Sequence, residues 1–232
     1  MNLSLIIPTL NEIDRIERLL GFLTKHKCRS KFEVIVVDGG SDDGTVEKIK
    51  KFPDVRLIQI TQPSRARQMN AGAVKASSDV FYFVHADVVL PDSFYHDIIE
   101  ALKSSYYGGY RYQFDSGPLL LKINAFFTRF PMMWCRGGDQ TLFITRSLFN
   151  KLEGFNEHFC VMEDFDLLRR AAKIASYRII QKDVIVSARK YHGNGYLKVQ
   201  LANLKAFRMF NSGVDPKKIR NYYKLALGLK DY

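Results

Sequence analysis

Cysteines and long apolar runs are scarce in this chain of 232 residues. The cysteines are Cys28, Cys135 and Cys160. They show no C-x-x-C spacing, which argues against a disulfide framework and a zinc knuckle and suits a reducing compartment. Lys122 and Arg129 interrupt the most apolar region, residues 118–130, so we expect no membrane-spanning helix. A strand pattern begins just after Met1 and leaves no room for a signal peptide, so we expect a cytoplasmic location.

The sequence also lacks the common glycine-rich loops that bind phosphates. Neither G-x-G-x-x-G nor G-x-x-x-x-G-K-[ST] occurs, so a dinucleotide-binding fold and a P-loop gain no support. A sugar-phosphate nucleotidyltransferase is an alternative enzyme of the nucleotide-binding α/β class. It would need a glycine-rich basic loop directly after the first strand, where this chain has Pro8–Glu12 instead.

Acidic residues are outnumbered, with 24 Asp and Glu against 35 Lys and Arg, a net charge of +11. Residues 182–232 hold eleven basic and three acidic residues, so this tail alone carries 11 − 3 = +8. A basic tail attracts the phosphates of a nucleotide, a nucleic acid or an anionic membrane. A nucleic-acid-binding module is therefore a second alternative. No motif of that kind is present, and carboxylates would repel a phosphate backbone, so we expect no nucleic-acid partner.

What the chain does have is three short apolar runs that each end in a small polar cluster. The runs are residues 3–7, 34–37 and 80–84, followed by Pro8–Glu12, Asp38–Thr45 and His85–Asp87. Continuous apolar runs separated by helical patterns predict parallel strands that are buried on both faces. Ligands of such sheets bind outside the carboxyl ends of the strands. We therefore expect an α/β fold with a doubly wound, mostly parallel sheet and a site at its carboxyl edge.

The remaining patterns complete this order of elements. Helices are predicted over residues 12–26 with Asn11 as N-cap, 45–51, 64–76, 91–104, 118–130, 163–175, 197–210 and 216–228. Further strands are predicted over residues 55–60, 110–114 and 140–144. The alternation of strands and helices before residue 105 predicts right-handed crossovers.

Two strand-end clusters carry residues with a chemical interpretation. Asp87, with His85 two residues earlier, could hold Mg²⁺ or Mn²⁺ and leave positions open for phosphate oxygens. The alternative is a turn aspartate. Asp38 could accept a hydrogen bond from a nucleoside, while an ordinary Asp-Gly turn is by itself the favoured interpretation.

Six motifs, taken together and in this order, resemble the family 2 glycosyltransferases of GT-A fold. They are Pro8–Glu12, Val36–Thr45, Arg65–Gly72, His85–Asp87, Gly137–Gln140 and Met162–Leu167. The His-Ala-Asp motif, with Arg-x-x-Gln-x-Asn upstream, is similar to a bacterial subgroup named as transferases associated with radical-SAM and selenium proteins. The resemblance covers about residues 1–195 and is specific as a set.

The resemblance implies a hexosyltransferase-type enzyme with a nucleotide-sugar donor, a divalent cation and a hydroxyl acceptor. The donor would be contacted by Pro8, Thr9, Asn11, Glu12, Asp38, Gly40, Arg67, Gln68 and Arg189. The cation would be held by Asp87, with His85 and His192 as further candidates, although a solvated loop histidine is the favoured alternative for His192. The usual Asp-x-Asp has become His85-Ala86-Asp87, so the metal loses one charged ligand.

The same resemblance places Asp139 beside the sugar or the acceptor and makes Asp164 the general base, with its neighbour Glu163 as the alternative. A single inverting displacement needs one carboxylate to take the proton of the acceptor hydroxyl. A helix N-terminus would lower the pKa of such a base. The alternative is that both acids only cap the helix.

The implied organisation is a GT-A domain over residues 1–195 and a basic helical C-terminal extension over 196–232. The domain divides into a Rossmann-like nucleotide-sugar-binding half, 1–104, and an acceptor and catalytic half, 105–195. Helices 118–130 and 197–210 mix apolar and basic residues, as helices that lie on anionic membranes do. Packing on the domain or on a second subunit is the alternative that the number of apolar residues favours. A lipid-linked acceptor, a peripheral location at the inner membrane face and a homodimer stay open.

Overall fold

The computed structural model describes residues 1–117, 119–130, 132–136 and 140–228. Within these ranges seven strands form one sheet: β1 (Leu3–Thr9), β2 (Phe32–Asp38), β3 (Val55–Gln59), β4 (Val80–Phe83), β5 (Tyr107–Phe114), β6 (Leu142–Thr145) and β7 (Arg178–Val186). The first helices are α1 (Ile13–Thr24), α2 (Thr45–Ile49), α3 (Arg65–Lys75), α4 (Phe94–Ala101) and α5 (Leu119–Phe127). The later ones are α6 (Arg146–Lys151), α7 (Glu163–Ala171), α8 (Arg189–His192), α9 (Tyr196–Asn211) and α10 (Pro216–Leu227).

The strand order is β3-β2-β1-β4-β6-β5-β7. Strands β1 to β4 run parallel, with β1 between β2 and β4, so the chain winds outward from β1 in both directions. Strand β6 is antiparallel to β4 and β5, and β7 returns parallel to β5. The predicted doubly wound, mostly parallel sheet is confirmed.

Continuous apolar strands bury both faces of this sheet. Alternate residues of β1 and β2 belong to two different core clusters, with Leu5 and Val36 in one and Ile6 and Ile35 in the other. The apolar stripes of α1 and α4 cover the first face, while α3, α6 and α7 cover the second. A Cβ atom on Gly72 would lie only 2.4 Å from Cγ2 of Ile6, so glycine allows α3 to pack directly on β1.

Element boundaries differ from the predicted ones where side chains compete with the helix. Asn11 is not the N-cap of α1, because Glu12 occupies that position and Asn11 has a φ of 54°. Its amide side chain instead binds the loop after β2. Helix α7 ends at Ala171, four residues before the predicted end. Strand β7 and helix α6 were not given boundaries by the sequence patterns.

The C-terminal helices pack on the body of the protein. Leu121 of α5 shares a core cluster with Val199 and Ala202 of α9. Phe210 of α9 contacts the rings of Phe159 and Phe165, which flank the start of α7. None of the helices in the described ranges is long and apolar enough to cross a membrane.

Candidate active site

The ends of β1 and β2 form the floor of the site. Thr9 and Asp38 are paired in the parallel register, and both are almost completely buried. The chain is tied together at this point because the amide of Gly39 donates to the carbonyl of Thr9 over 2.9 Å. The hydroxyl of Thr9 is buried and has no hydrogen-bond partner within the described chain. Pro8, the preceding residue of β1, is also buried.

Asp38 shapes the turn that follows β2. Its Oδ1 accepts from the amides of Gly40 (2.9 Å) and Ser41 (3.0 Å), and its Oδ2 accepts from the Ser41 hydroxyl. Gly40 has a φ of 96°, which glycine adopts without strain. The structure therefore gives Asp38 the turn role that the sequence left open. Its contact with a nucleoside stays a prediction.

The same loop binds the beginning of α1. The amide of Asn11 donates to Ser41 (2.9 Å), and the amide of Asp42 donates back to the Asn11 side chain (3.0 Å). The amide of Glu12 donates to Thr45 over 3.0 Å. Side chains of the loop therefore satisfy N–H groups that a helix start leaves unpaired.

Gln68 of α3 holds two strand ends in place. It is buried, and its amide nitrogen donates to the carbonyls of Thr9 and Val37, each over 2.8 Å. Both amide hydrogens are thus used by the backbone of β1 and β2. This geometry makes Gln68 part of the framework of the site, and the predicted contact with the ribose or diphosphate is not available to its nitrogen.

Asn70, the last residue of the Arg-x-x-Gln-x-Asn motif, and Arg67, at one of its variable positions, contact the segment before α7. Asn70 donates to the carbonyl of Phe155 (2.9 Å) and accepts from its amide (3.0 Å). Arg67 pairs with Glu157 over 3.4 Å, and its Nη1 donates to Gln62. Helix α3 therefore links the strand ends to the acidic start of α7. Arg67 lies half-exposed at this junction, and its contact with a diphosphate stays a prediction.

Arg189 contacts two carboxylates, one after β1 and one after β4. Its guanidinium forms a bidentate ion pair with Glu12, with 3.0 Å between Nη1 and Oε2. The Nη2 atom also lies 3.6 Å from Oδ2 of Asp87. Glu12 follows β1, Asp87 follows β4, and Arg189 begins α8 after β7. The guanidinium of Arg189 is therefore shared by two carboxylates at the carboxyl edge of the sheet.

The candidate metal ligands converge only in part. Within the described ranges no three His, Cys, Asp or Glu side chains come together to hold a metal ion. His192 is exposed, and its Nε2 lies 3.2 Å from the hydroxyl of Ser116. Asp87 and His85 share the turn after β4, where the amide of Val88 donates to the carbonyl of His85. This arrangement fits a cation that takes most of its ligands from substrate phosphates and water, as Mg²⁺ commonly does.

The acid pair Glu163 and Asp164 occupies the first turn of α7, after Met162 with a φ of 66°. Glu163 is buried, and this burial raises the pKa of its carboxyl, against the opposing charge of Arg65. The expected lowering by the helix N-terminus is therefore outweighed at Glu163. Asp164 instead lines a small cavity with Gln140, Thr141, Leu142, Leu168 and Tyr177. This cavity, of about 10 Å³, holds no more than a water molecule. Asp164 is nevertheless the more accessible acid, because it is only partly buried whereas Glu163 is buried.

Two residues that the sequence patterns did not single out lie in this region: Tyr177 lines the cavity, and Arg136 contacts Tyr177. Arg136 is buried, its guanidinium lies 3.5 Å from the ring centre of Tyr177, and its two Nη atoms find no hydrogen-bond partner in the described chain. Burial raises the pKa of Tyr177 to about 12, and the carboxylate of Asp164 acts in the same direction. The only sequence signal for Arg136 is its place next to Gly137. The predicted residue Asp139 lies outside the described residues.

Comparisons with known proteins identify the family of the chain. The model of the family described as glycosyl transferase family 2 matches residues 4–172. A dolichol-phosphate mannosyltransferase of Pyrococcus furiosus is 29% identical over 108 residues, which are 45% of this chain and 31% of that protein. The chain thus spans less than a third of the length of this curated relative.

Two solved structures show the likeness of the folds. The mannosyltransferase PcManGT from Pyrobaculum calidifontis, in complex with GDP-Man and Mn²⁺, has a TM-score of 0.68 at 21% identity, over 98% of this chain and 72% of that chain. TarS 1–349 from S. aureus, in complex with UDP-GlcNAc, has a TM-score of 0.68 at 18% identity over the same shares. The expected GT-A fold is confirmed by these neighbours.

Proposed function

The chain belongs to glycosyl transferase family 2, and from this premise we propose that it transfers a hexose from a nucleotide-sugar to an acceptor hydroxyl. The observation that carries the proposal is the position of Arg189 between Glu12 and Asp87. Transfer from a nucleoside diphosphate requires stabilisation of a leaving diphosphate. A planar guanidinium is suited to bind phosphate oxygens in a bidentate manner.

On the donor side, the loops after β1 and β2 would hold the nucleoside. Asn11, Gly40 and the buried hydroxyl of Thr9 lie at this edge, while Asp38 and Gln68 keep the loop and the strand ends in position. Arg67 and Arg189 would bind the diphosphate. A divalent cation bound by Asp87 and the phosphates would supply Lewis-acid neutralisation of the leaving group.

On the acceptor side, Asp164 would take the proton of the attacking hydroxyl. A single displacement with this one base would invert the configuration at the sugar carbon. Asp164 is favoured over Glu163 because Asp164 is only partly buried, whereas Glu163 is buried with a raised pKa. The buried guanidinium of Arg136, beside Tyr177, would donate hydrogen bonds to sugar or acceptor oxygens.

Finer features of the proposal concern substrates and location. The two structural neighbours carry different nucleotides, GDP-Man and UDP-GlcNAc, so the base is left open. The subgroup associated with radical-SAM and selenium proteins remains a proposal based on the His-Ala-Asp motif. A lipid-linked acceptor and a peripheral membrane location are proposed together. Family membership does not favour a nucleotidyltransferase or a nucleic-acid-binding protein.

The test is a donor panel that pairs binding with turnover. Calorimetry would measure the affinity for UDP, GDP and dTDP with Mn²⁺ and with Mg²⁺, and a coupled assay would measure nucleoside diphosphate release from the corresponding sugars. We expect one base to bind with a metal requirement and its sugars to release the diphosphate. A chain that binds none of the three nucleotides and releases none of them would overturn the proposal.

A further inference from the structure

Exposed apolar side chains are concentrated on one segment, which begins with α5. Of the seventeen large hydrophobic residues that are exposed in the described chain, eight lie in this segment: Leu119, Leu120, Ile123, Phe126, Phe127, Phe130, Met132 and Trp134. We call Phe126, Phe127, Phe130 and Trp134 the aromatic cluster. Trp134 keeps 57% of its surface exposed. Isolated exposed apolar residues are normal on proteins, but a contiguous group of this kind marks an interaction site.

The aromatic cluster is compact. The ring centres of Phe127 and Trp134 are 5.8 Å apart, and those of Phe126 and Phe130 are 5.9 Å apart. The guanidinium of Arg129 lies 3.8 Å from the ring centre of Phe126. Rings and a cation thus form one surface, in which neighbouring aromatic groups support each other.

Packing on the domain does not account for this surface. Helix α5 buries Leu121 and Ala125, and these two residues supply its contact with the core. The eight exposed side chains of the segment lie outside that contact. For α5, the packing alternative from the sequence therefore accounts for the inner face and not for the outer one.

Helix α9, whose inner side shares a cluster with α5, carries a second exposed apolar stripe. Leu197, Leu201 and Leu204 recur at intervals of four and three residues and are 70%, 65% and 47% exposed, as one stripe of a helix. The inner residues of α9 share a cluster with Leu121, so α5 and α9 are packed neighbours. We call the eight side chains and this leucine stripe together the exposed apolar face.

Charge identifies the partner that this face fits. Neither residues 119–134 nor residues 196–211 contain an Asp or a Glu. Exposed Lys122, Lys198, Lys205 and Arg208 lie on the same two helices. Two copies of such a surface would repel each other, whereas a surface of anionic lipid headgroups would attract it. Aromatic rings beside Lys and Arg are the composition of a segment at a membrane interface.

We propose that the exposed apolar face docks on an anionic phospholipid bilayer. The purpose of this docking rests on the proposed function, because it would bring Asp164 near a lipid-linked acceptor. Few residues lie between the exposed apolar face and Asp164. Trp134 lies two residues before Arg136, and Arg136 contacts Tyr177, which lines the cavity with Asp164.

Vesicle flotation with the intact protein tests the docking without any substrate. We expect association with vesicles that contain phosphatidylglycerol, weaker association at high salt, and none with phosphatidylcholine alone. Trp134 is the only tryptophan of the chain, so its fluorescence reports directly on this surface. We expect a blue shift on association, because the indole would leave water.

Two double variants and two matched controls locate the surface. Phe126→Ser with Trp134→Ser, and Lys122→Glu with Lys198→Glu, should each lower partitioning into the vesicles about tenfold. The controls are Val74→Ser, whose side chain is 78% exposed, and Lys75→Glu, both on α3. The controls should partition like the wild type. Unchanged thermal unfolding would show that the variants remain folded.

The proposal is overturned if the wild type does not associate with phosphatidylglycerol vesicles, or if all four variants associate equally well. It is also overturned if sedimentation velocity shows a dimer that only the Phe126 and Trp134 double variant dissociates, since a second copy would then cover the face. Nucleotide affinity, measured without vesicles, separates the two proposals. Nucleotide binding without vesicle association leaves the function standing, and vesicle association without nucleotide binding leaves the docking standing.

Discussion

Arg189 and Glu12 form a bidentate ion pair although 177 residues separate them in the chain. The pair joins the segment after β7 to the beginning of α1. The same guanidinium lies 3.6 Å from the carboxylate of Asp87. Glu12 and Asp87 therefore hold the guanidinium of Arg189 in place before a diphosphate enters the site. Because the Arg189 side chain is already ordered, diphosphate binding would lose less conformational entropy.

Replacing Arg189 should weaken donor binding. Arg189→Met would remove the guanidinium and leave Glu12 and Asp87 without their shared partner, so the affinity for the nucleoside diphosphate should fall roughly tenfold to a hundredfold. Lys190→Met, one residue later, is the matched control. Calorimetry with the preferred nucleotide measures both. Equal losses in the two variants would show that general positive charge, and not the position of Arg189, attracts the diphosphate.

Replacing Asp87 should separate metal-dependent from metal-independent binding. Asp87→Asn keeps the size of the side chain but removes the charge that a hard cation prefers. We expect the gain in nucleotide affinity on addition of Mn²⁺ to disappear, while the affinity without metal changes little. Asp92→Asn, on the same connection after β4, is the control. If the Mn²⁺-dependent gain persists in Asp87→Asn, Asp87 does not hold the cation.

The two acids of α7 should differ in their effect on turnover. Asp164→Asn removes the carboxylate that lines the cavity and should lower sugar transfer by roughly 10²–10⁴-fold at unchanged donor affinity, because general-base assistance is lost. Glu163→Gln should retain most of the activity, since Glu163 is buried and a substrate does not reach it. Single-turnover kinetics at saturating donor compare the two. The reverse result would make Glu163 the base.

The first half of the fold is predictable because its strands are continuous apolar runs with polar ends. The apolar residues of α3, which include Ala66 and Met69, likewise indicate that this helix lies on the sheet. Strand β7 is harder to predict. It contains Lys182 and Asp183, which pair with Asp97 and Arg111, so local charge hides a strand that is stabilised by its neighbours.

The sequence motifs locate most residues of the site, but they do not predict which contacts each side chain makes. Gln68 belongs to a motif that resembles a donor-binding one, but its two hydrogen bonds to strand ends depend on the three-dimensional contact of α3 with β1. The pKa of Glu163 could not be inferred from its place at a helix start, because burial exceeds the effect of the helix dipole. Long-range pairs such as Arg189 and Glu12 leave no local signal.

The C-terminal helices should stabilise the start of α7, so the sequence boundary at residue 195 would not separate two independent units. Phe210 is buried and contacts Phe165 and Arg169. Phe210→Ala should lower the free energy of unfolding by about 3–5 kcal/mol. Leu225→Ala, on an exposed site of α10, should change it by less than about 0.5 kcal/mol. Urea unfolding measures both, and a small effect of Phe210→Ala would show that α9 docks only loosely.

Glu163 should make the stability of the protein depend on pH. Burial raises the pKa of Glu163 in the folded state above the ordinary value of 4.5, so the folded protein binds the proton more tightly than the unfolded chain does. The resulting stability is fully present below pH 4.5 and is lost as the pH rises through the folded-state pKa. Glu163→Gln removes this loss. Its free energy of unfolding at pH 7 should therefore exceed that of the wild type, by about 1.4 kcal/mol for each pH unit between the two pKa values. At pH 4 the two proteins should have nearly equal free energies of unfolding.

Glu47→Gln, on the exposed side of α2, is the control and should show the same small difference at both pH values. A Glu163→Gln variant that is less stable than the wild type at pH 7 would mean that the ionised carboxylate is stabilised by Arg65 beyond the cost of its burial.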